Sequence, residues 1–203
     1  EYQGSVRILE KEIRDWDSQI YEQIGISFEL PNHYTGLTAM ENLEYFKNLY
    51  KRNCHEPSEV LNWVGLEDAA NMRVQNFSKG MKIRLNVARS ILHNPEILFL
   101  DEPTSGLDPV NAKVIKDLVL RLRNEGATVF VTTHSMTLAD ELCDKVAFIT
   151  NGAIRAIDSP QALKKKYGKK SVVVSYLDEG ELQENEFMIE GLGTNKEFIG
   201  LLN

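Results

Sequence analysis

The apolar positions of the chain follow two regimes, divided near Pro95. Before it, short strand-like segments give way to helical spacing. Gly4-Ser5-Val6-Arg7-Ile8-Leu9 alternates in the manner of a strand leaving a turn. Ile24-Gly25-Ile26-Ser27-Phe28 predicts a second short strand, closed by Pro31. Met40, Leu43, Phe46 and Tyr50 then share one face of a helix expected over residues 38–50. Residues 57–64 predict a shorter helix with Pro57 in its first turn. A longer one follows Ser78, with Ile83, Val87, Ile91 and Leu92 along one side.

After Pro95 the pattern changes. Ile97-Leu98-Phe99-Leu100 is a continuous apolar run ending in acid, which predicts a strand buried on both faces. Val110, Val114, Leu118 and Leu122 recur every four residues and predict a helix. Residues 127–133 form the next expected buried strand, residues 136–142 a helix, and residues 145–149 a further strand. Strand, helix, strand, helix, strand at short intervals predicts a parallel sheet covered by helices. The mostly helical stretch 39–94 interrupts that sheet as an inserted lobe. Beyond Ser159-Pro160 come a basic run over 161–167, a β-rich Val172-Val173-Val174 and an acidic stretch over 178–186. The lysines at 164–166, 169 and 170 read as a solvated helix end.

Composition narrows the class without naming an activity. The chain has 203 residues, 42% hydrophobic and 26% charged, enough for one sizeable core with a satellite lobe. No apolar run approaches the roughly 20 residues needed to cross a bilayer, and the start has no signal-like apolar region. Two cysteines, Cys54 and Cys143, are too few for a disulfide framework. A net charge of −7 argues against broad nucleic-acid binding, which needs a basic field.

Chemistry concentrates after the apolar run. In Leu100-Asp101-Glu102-Pro103, a carboxylate stands at the carboxyl end of an expected parallel strand, where open α/β sheets bind ligands. Asp101 is placed to hold Mg²⁺ and Glu102 to polarise a water; alone, the pair favours two acids solvating a strand end, because Asp-Glu dipeptides are common. Ser105-Gly106-Leu107-Asp108 follows directly, and His134 terminates the next strand. Upstream, Phe77-Ser78-Lys79-Gly80-Met81 precedes a helix, with Ser78 as a candidate N-cap. That helix start also offers free N–H groups to an anion.

These four elements, in this order, resemble the ATP-binding cassette (ABC) family. Residues 77–81 are similar to its signature motif, 97–102 to its Walker B strand, 105–108 to its D-loop and His134 to its switch histidine. Residues 24–43 resemble its Q-loop region, with Glu29 in place of the usual glutamine. The resemblance runs over about residues 4–154. It implies an α/β P-loop NTPase (RecA-like) parallel-sheet core with an inserted helical subdomain. The expected division is a partial core with the Q-loop at 1–37, a helical subdomain at 38–94, the core resumed at 95–158 and a C-terminal extension at 159–203. Lys79, Met81 and the tail from Ser159 are most similar to bacterial multidrug and antibiotic exporters.

The resemblance implies an ATP-hydrolysing subunit that closes as a homodimer or heterodimer on ATP and Mg²⁺ and drives an integral membrane permease. It would sit on the cytoplasmic face of the membrane. Ser78, Lys79, Gly80, Met81, Asp108, His134 and Glu29 would contact nucleotide, and Asp101 and Glu29 would hold the metal. Glu102 would act as general base, with His134 at the γ-phosphate. Glu29 is expected to couple the nucleotide site to the permease, through a segment 26–42 that touches it. The alternative is a soluble member of the superfamily that uses ATP as a switch on nucleic acid or ribosomes; such proteins often carry two cassettes and basic surfaces, unlike this acidic chain.

Gly-x-x-x-x-Gly-Lys-Ser/Thr, the phosphate-gripping loop of the family, occurs nowhere in the sequence. The resemblance places it upstream of Glu1, so a strand, loop and helix on the order of 30 residues are expected to be missing. The C-terminus is also expected to be cut. The 203-residue chain alone is therefore expected to bind ATP weakly and to hydrolyse it far more slowly than about 1 per second. A phosphate-release assay on the purified chain tests this, and turnover at an ordinary enzymatic rate would refute it.

Overall fold

The computed structural model describes residues 3–168, 171–178, 181–190 and 192–201. The chain divides into two compact units, Glu1–Leu142 and Cys143–Asn203.

The first unit opens with a small antiparallel hairpin, β1 (Arg7–Ile8) and β2 (Lys11–Glu12). Leu9 and Glu10 turn it with positive φ, and the expected six-residue strand shrinks to two residues. A short α1 (Ile20–Gln23) leads into β3 (Ile24–Ser27). Three helices follow: α2 (Ala39–Lys47), α3 (Pro57–Trp63) and α4 (Lys79–Ile91). Then come β4 (Ile97–Asp101), α5 (Pro109–Asn124), β5 (Thr128–Thr132) and α6 (Met136–Leu142). Strands β3, β4 and β5 form one parallel sheet with β4 in the middle.

Each helix start has a local cause. Thr38 and Glu41 form a capping box: the Thr38 hydroxyl accepts the Glu41 N–H at 3.1 Å, and the Glu41 carboxylate accepts the Thr38 N–H at 2.7 Å. Ser78 caps α4, its Oγ accepting the Met81 N–H at 3.2 Å. Asp108 caps α5, with Pro109 in the first turn.

Burial differs from the sequence pattern in instructive ways. β4 buries Leu98 and Leu100 on one face, while Ile97 and Phe99 on the other are only half-buried. β5 leaves Phe130 exposed, so neither strand is buried on both faces among the described residues. On α5 the buried stripe is Ile115, Leu118, Val119 and Leu122, and Val110 is exposed. A strict four-residue repeat drifts around a helix of 3.6 residues per turn, so Val110 rotates off the face that Leu122 occupies. α4 is buried on nearly every side, including Arg84, Asn86 and Ser90. It packs on α2 and α3 on one side and on β3 and β4 on the other. Each fully buried Leu or Ile there contributes about 1.5–3 kcal/mol.

The α4–β3 contact is close enough to require glycine. A Cβ at Gly25 would stand 2.0 Å from the Ser90 carbonyl oxygen and 2.9 Å from Pro95. Beside it, the buried His93 ring stacks on Tyr50 with centroids 4.0 Å apart, and its Nε2 donates to the Ile24 carbonyl at 2.9 Å. Burial lowers the His93 pKa below its ordinary value, and the bond to the Ile24 carbonyl opposes that shift in part.

The second unit holds two antiparallel hairpins. β6 (Val146–Thr150) pairs with β7 (Ala153–Asp158), not with the parallel sheet, so the last strand expected in the parallel series belongs elsewhere. α7 (Pro160–Tyr167) is capped by Ser159, which accepts the Ala162 N–H. β8 (Ser171–Asp178) pairs along its length with β9 (Glu181–Met188), so most of the acidic stretch is strand, and α8 (Lys196–Leu201) ends the described chain. Lys169 and Lys170 lie outside the described residues. No described helix is long and apolar enough to cross a membrane.

Gly25→Ala is expected to destabilise the protein by about 1–3 kcal/mol through overpacking against Ser90, lowering Tm by roughly 2–4 °C per kcal/mol. Thermal unfolding measures it; an unchanged Tm would mean that β3 can move off α4 at no cost.

Candidate functional site at the carboxyl edge of the parallel sheet

The register of the sheet builds the site. Ser27 pairs with Leu100, and Asp101 pairs with Thr132. Glu29, Asp101–Glu102 and Thr133–His134 therefore leave the sheet from the same edge, with the β4 residues between the other two. This is the edge where parallel sheets bind ligands, because the strands' carboxyl ends and the following turns open there.

Glu102 has φ +46, a left-handed conformation uncommon for a residue with a side chain. Such a residue costs on the order of 1–3 kcal/mol and persists only where its surroundings hold it. Here the Glu102 N–H donates to the Thr132 carbonyl at 3.1 Å, and the Ser105 N–H donates to the Glu102 carbonyl at 3.1 Å. The kink takes the chain off β4 and turns the carboxylate toward the end of β5. Its Oε1 accepts two bonds from His134, from the backbone N–H at 2.9 Å and from ring Nδ1 at 2.8 Å. The Thr133 hydroxyl reaches Oε2 at 3.5 Å. The Glu102 side chain is 18% exposed and that of His134 80% exposed, so the acid is sheltered while the ring is open to a ligand. With Nδ1 as the donor to Glu102, ring Nε2 is left facing outward.

Asp101 is exposed, and its Oδ1 accepts the Thr132 hydroxyl. Among the described residues no group of three His, Cys, Asp or Glu side chains could hold a metal by itself. One strand-end carboxylate beside a hydroxyl fits Mg²⁺, which binds through one or two carboxylates plus phosphate and water oxygens.

The second cluster gathers around the start of α4. Ser78 and Lys79 are exposed; Gly80 and Met81 are half-buried. The turn 105–108 lies against them. A Cβ on Gly106, whose φ is +71, would sit 3.3 Å from Lys79 Nζ, and one on Gly80 would sit 3.2 Å from Leu107 Cδ2. Asp108 is occupied locally. It accepts the Val110 and Asn111 N–H groups at 3.0 Å each, and bonds from Asn111 hold its carboxyl below the ordinary carboxylate value. Arg84 donates from the buried side of α4 to the Val64 and Gly65 carbonyls. Among the described residues no hydrogen bond joins Ser78, Lys79, Gly80 or Met81 to Glu102, His134 or Asp101, so the site residues form two separate groups.

Sequence reasoning missed the supports. Thr132 and Thr133 orient the acids, and the Glu102 kink has no signature in a Glu-Pro dipeptide. Asn86, at 1% exposure, reaches the loop that carries Glu29. The available signal was a polar residue inside the apolar run Leu85-Asn86-Val87-Ala88.

A family model described as ABC transporter matches residues 1–105. A fluoroquinolones export ATP-binding protein of Mycobacterium tuberculosis is 49% identical over 200 residues, covering 98% of this chain and 66% of its own length. A bacitracin transport ATP-binding protein of Bacillus licheniformis is 37% identical over 155 residues, covering 74% of this chain and 50% of its own. Among solved structures, a dimeric ATP-binding cassette in a post-hydrolysis state with ADP and Pi is similar with TM-score 0.69 and 26% identity, over 78% of this chain and 74% of that one. The fold is thus the P-loop NTPase cassette, a parallel-sheet core with helices. The chain belongs to the ABC transporter family. It spans slightly under two thirds of the length of its mycobacterial relative.

His134→Ala is expected to leave the fold intact. Its ring bond to Glu102 is solvent-exposed, and such pairs are worth about 0–1 kcal/mol. Tm should move by no more than roughly 2–4 °C; a larger fall would make His134 a structural support and not a ligand-facing group.

Proposed function

We propose that this chain forms part of the ATP-binding and ATP-hydrolysing subunit of an exporter, working as a dimer on an integral membrane permease. The observation that carries the reading is the Glu102 carboxylate, sheltered, fixed in a left-handed kink and bonded twice to His134 beside Asp101. Export of drug-like molecules is supported by what the relatives' names say of them, export of fluoroquinolones for one and transport of bacitracin for the other. Pairing is supported by the dimeric state named for the similar cassette. The subunit would then lie on the cytoplasmic face, against the permease.

In this reading Glu102 takes a proton from the attacking water. Its Oε1 is held by His134, so Oε2 is the oxygen left to meet that water, with the Thr133 hydroxyl near it. The backbone N–H of His134 fixes the carboxylate, and because ring Nδ1 already donates to Glu102, the exposed ring donates from Nε2 to a terminal phosphate oxygen only as the imidazolium. Asp101, with Glu29 from the loop after β3, would hold Mg²⁺, which when bound neutralises phosphate charge. Ser78 and Gly80, at the positive end of α4, would contact the nucleotide held by the other subunit. Lys79, which lies across Gly106, and Met81 complete that surface, while Asp108 keeps the turn in place by capping α5. Most of the acceleration is then positioning and charge stabilisation.

Glu102→Gln in the full-length protein keeps size and hydrogen bonding but removes the base. Hydrolysis is expected to fall by roughly 10²–10⁴-fold, while ATP binding survives and the nucleotide-bound dimer accumulates. Steady-state ATPase assays with size-exclusion chromatography test this, and near-parental turnover would remove Glu102 from the role.

A further inference from the structure

The loop that carries Glu29 is pinned to α4 at both of its ends. On the near side, Asn86 Nδ2 donates to the Phe28 carbonyl at 2.8 Å and to Ser27 Oγ at 3.0 Å. On the far side, Arg89 Nη1 donates to the Asn32 carbonyl at 2.5 Å, and His33 Nε2 donates to the Lys82 carbonyl at 2.9 Å. The two helix side chains are themselves joined, Arg89 Nη2 donating to Asn86 Oδ1 at 2.9 Å. Arg89 also stacks over Phe46 of α2 at 4.7 Å. Between the anchors Phe28, Glu29 and Leu30 stay exposed.

Lys82, Asn86 and Arg89 stand at i, i+4 and i+7, one face of a helix whose buried side chains are mostly apolar. A polar stripe there has a cost unless its groups are paired. Both amide hydrogens and the amide oxygen of Asn86 are used, and two of the loop groups held by Asn86 and Arg89 are main-chain carbonyls. The pairing therefore fixes where the loop lies, whatever side chains the loop presents. The same helix begins at Ser78, whose first turn rests against Gly106 and Leu107.

We infer that Asn86 and Arg89 are positioning residues, which clamp the Glu29 loop to α4 so that Glu29 and the Ser78–Gly80 turn move as one body. This rests on the ATPase reading for its kinetic consequence, but not for the clamp itself. A displacement of Glu29 would be carried along a helix of 13 residues to the start of α4. Conversely, engagement of Ser78 and Gly80 would be felt by the exposed loop.

The test uses the full-length protein with Mg²⁺-ATP and reads limited proteolysis by chymotrypsin together with ATPase kinetics. In Asn86→Ala cleavage of the peptide bond after Phe28 is expected to run about tenfold faster, because the Phe28 carbonyl loses its partner and the exposed loop can open into the protease. For ATP hydrolysis kcat is expected to fall by about tenfold, with KM within roughly twofold of the parent, since no phosphate contact is removed. Ser90→Ala is the control: it removes another buried polar group of α4, bonded only within the helix to the Val87 carbonyl, and should leave cleavage after Phe28 unchanged. If Asn86→Ala does not fold, Arg89→Lys keeps the cation over Phe46 but loses the fork that reaches both Asn86 and Asn32. It should speed that cleavage by about threefold. Unchanged loop cleavage in the variants, or equal acceleration in Ser90→Ala, overturns the clamp. A kcat loss matched by an equal loss of folded protein overturns the positioning role. Should the full-length protein not hydrolyse ATP at all, the proposed function falls, while loop cleavage still decides the clamp.

Discussion

The seat of α4 on β3 is the contact on which both halves of the site depend. Gly25 has no Cβ, so the Ser90 carbonyl can lie against the strand; His93 and Asn86 then bond to the strand on either side of that contact. Bonds from Asn86 within a helix that is buried almost all round, and from His93 just past its end, fix its direction as well as its distance. The helix start, with Ser78 and Gly80, is thereby fixed relative to the strand end that leads to Glu29. A larger residue at Gly25 would lever the two apart, since neither a carbonyl nor a proline ring can yield.

The second determinant is β4, which pairs in parallel on both edges. Parallel pairing in register forces three carboxyl ends onto one edge and gathers Glu29, Asp101 and Glu102 there. The left-handed kink at Glu102 directs one of these acids sideways into the bonds offered by His134 and leaves Asp101 open. Two adjacent carboxylates thus have different surroundings, one sheltered and oriented, the other exposed and beside a hydroxyl. That difference is what lets neighbouring acids take different tasks.

Electrostatics divides the two groups of site residues as well. The sheet edge is acidic, whereas the start of α4 carries Lys79 and Lys82 and the positive end of a helix dipole. The two groups belong to separate places in the chain, and among the described residues no hydrogen bond joins them.

The sequence by itself determined the helices and strands around the site, because caps and apolar spacing are local. Ser78, Asp108 and the run ending in Asp101-Glu102 lie where their neighbours dictate. It also located the acids and His134 at strand ends, since an apolar run followed by charge marks the point where a strand leaves the core. Only the tertiary structure decided which strands share a sheet. The segment at 146–150 has the same apolar character as β5, yet its partner is the hairpin strand that follows it. Pairing depends on which backbone edge is within reach, and composition does not encode that. The Glu102 kink, the Gly25 contact and the Asn86 clamp were hidden for the same reason: each joins residues far apart in the chain or rests on a backbone angle that such residues stabilise. A buried Asn in an apolar helix signals that a partner must exist, but the identity of that partner, a loop carbonyl 58 positions away, is set by packing alone.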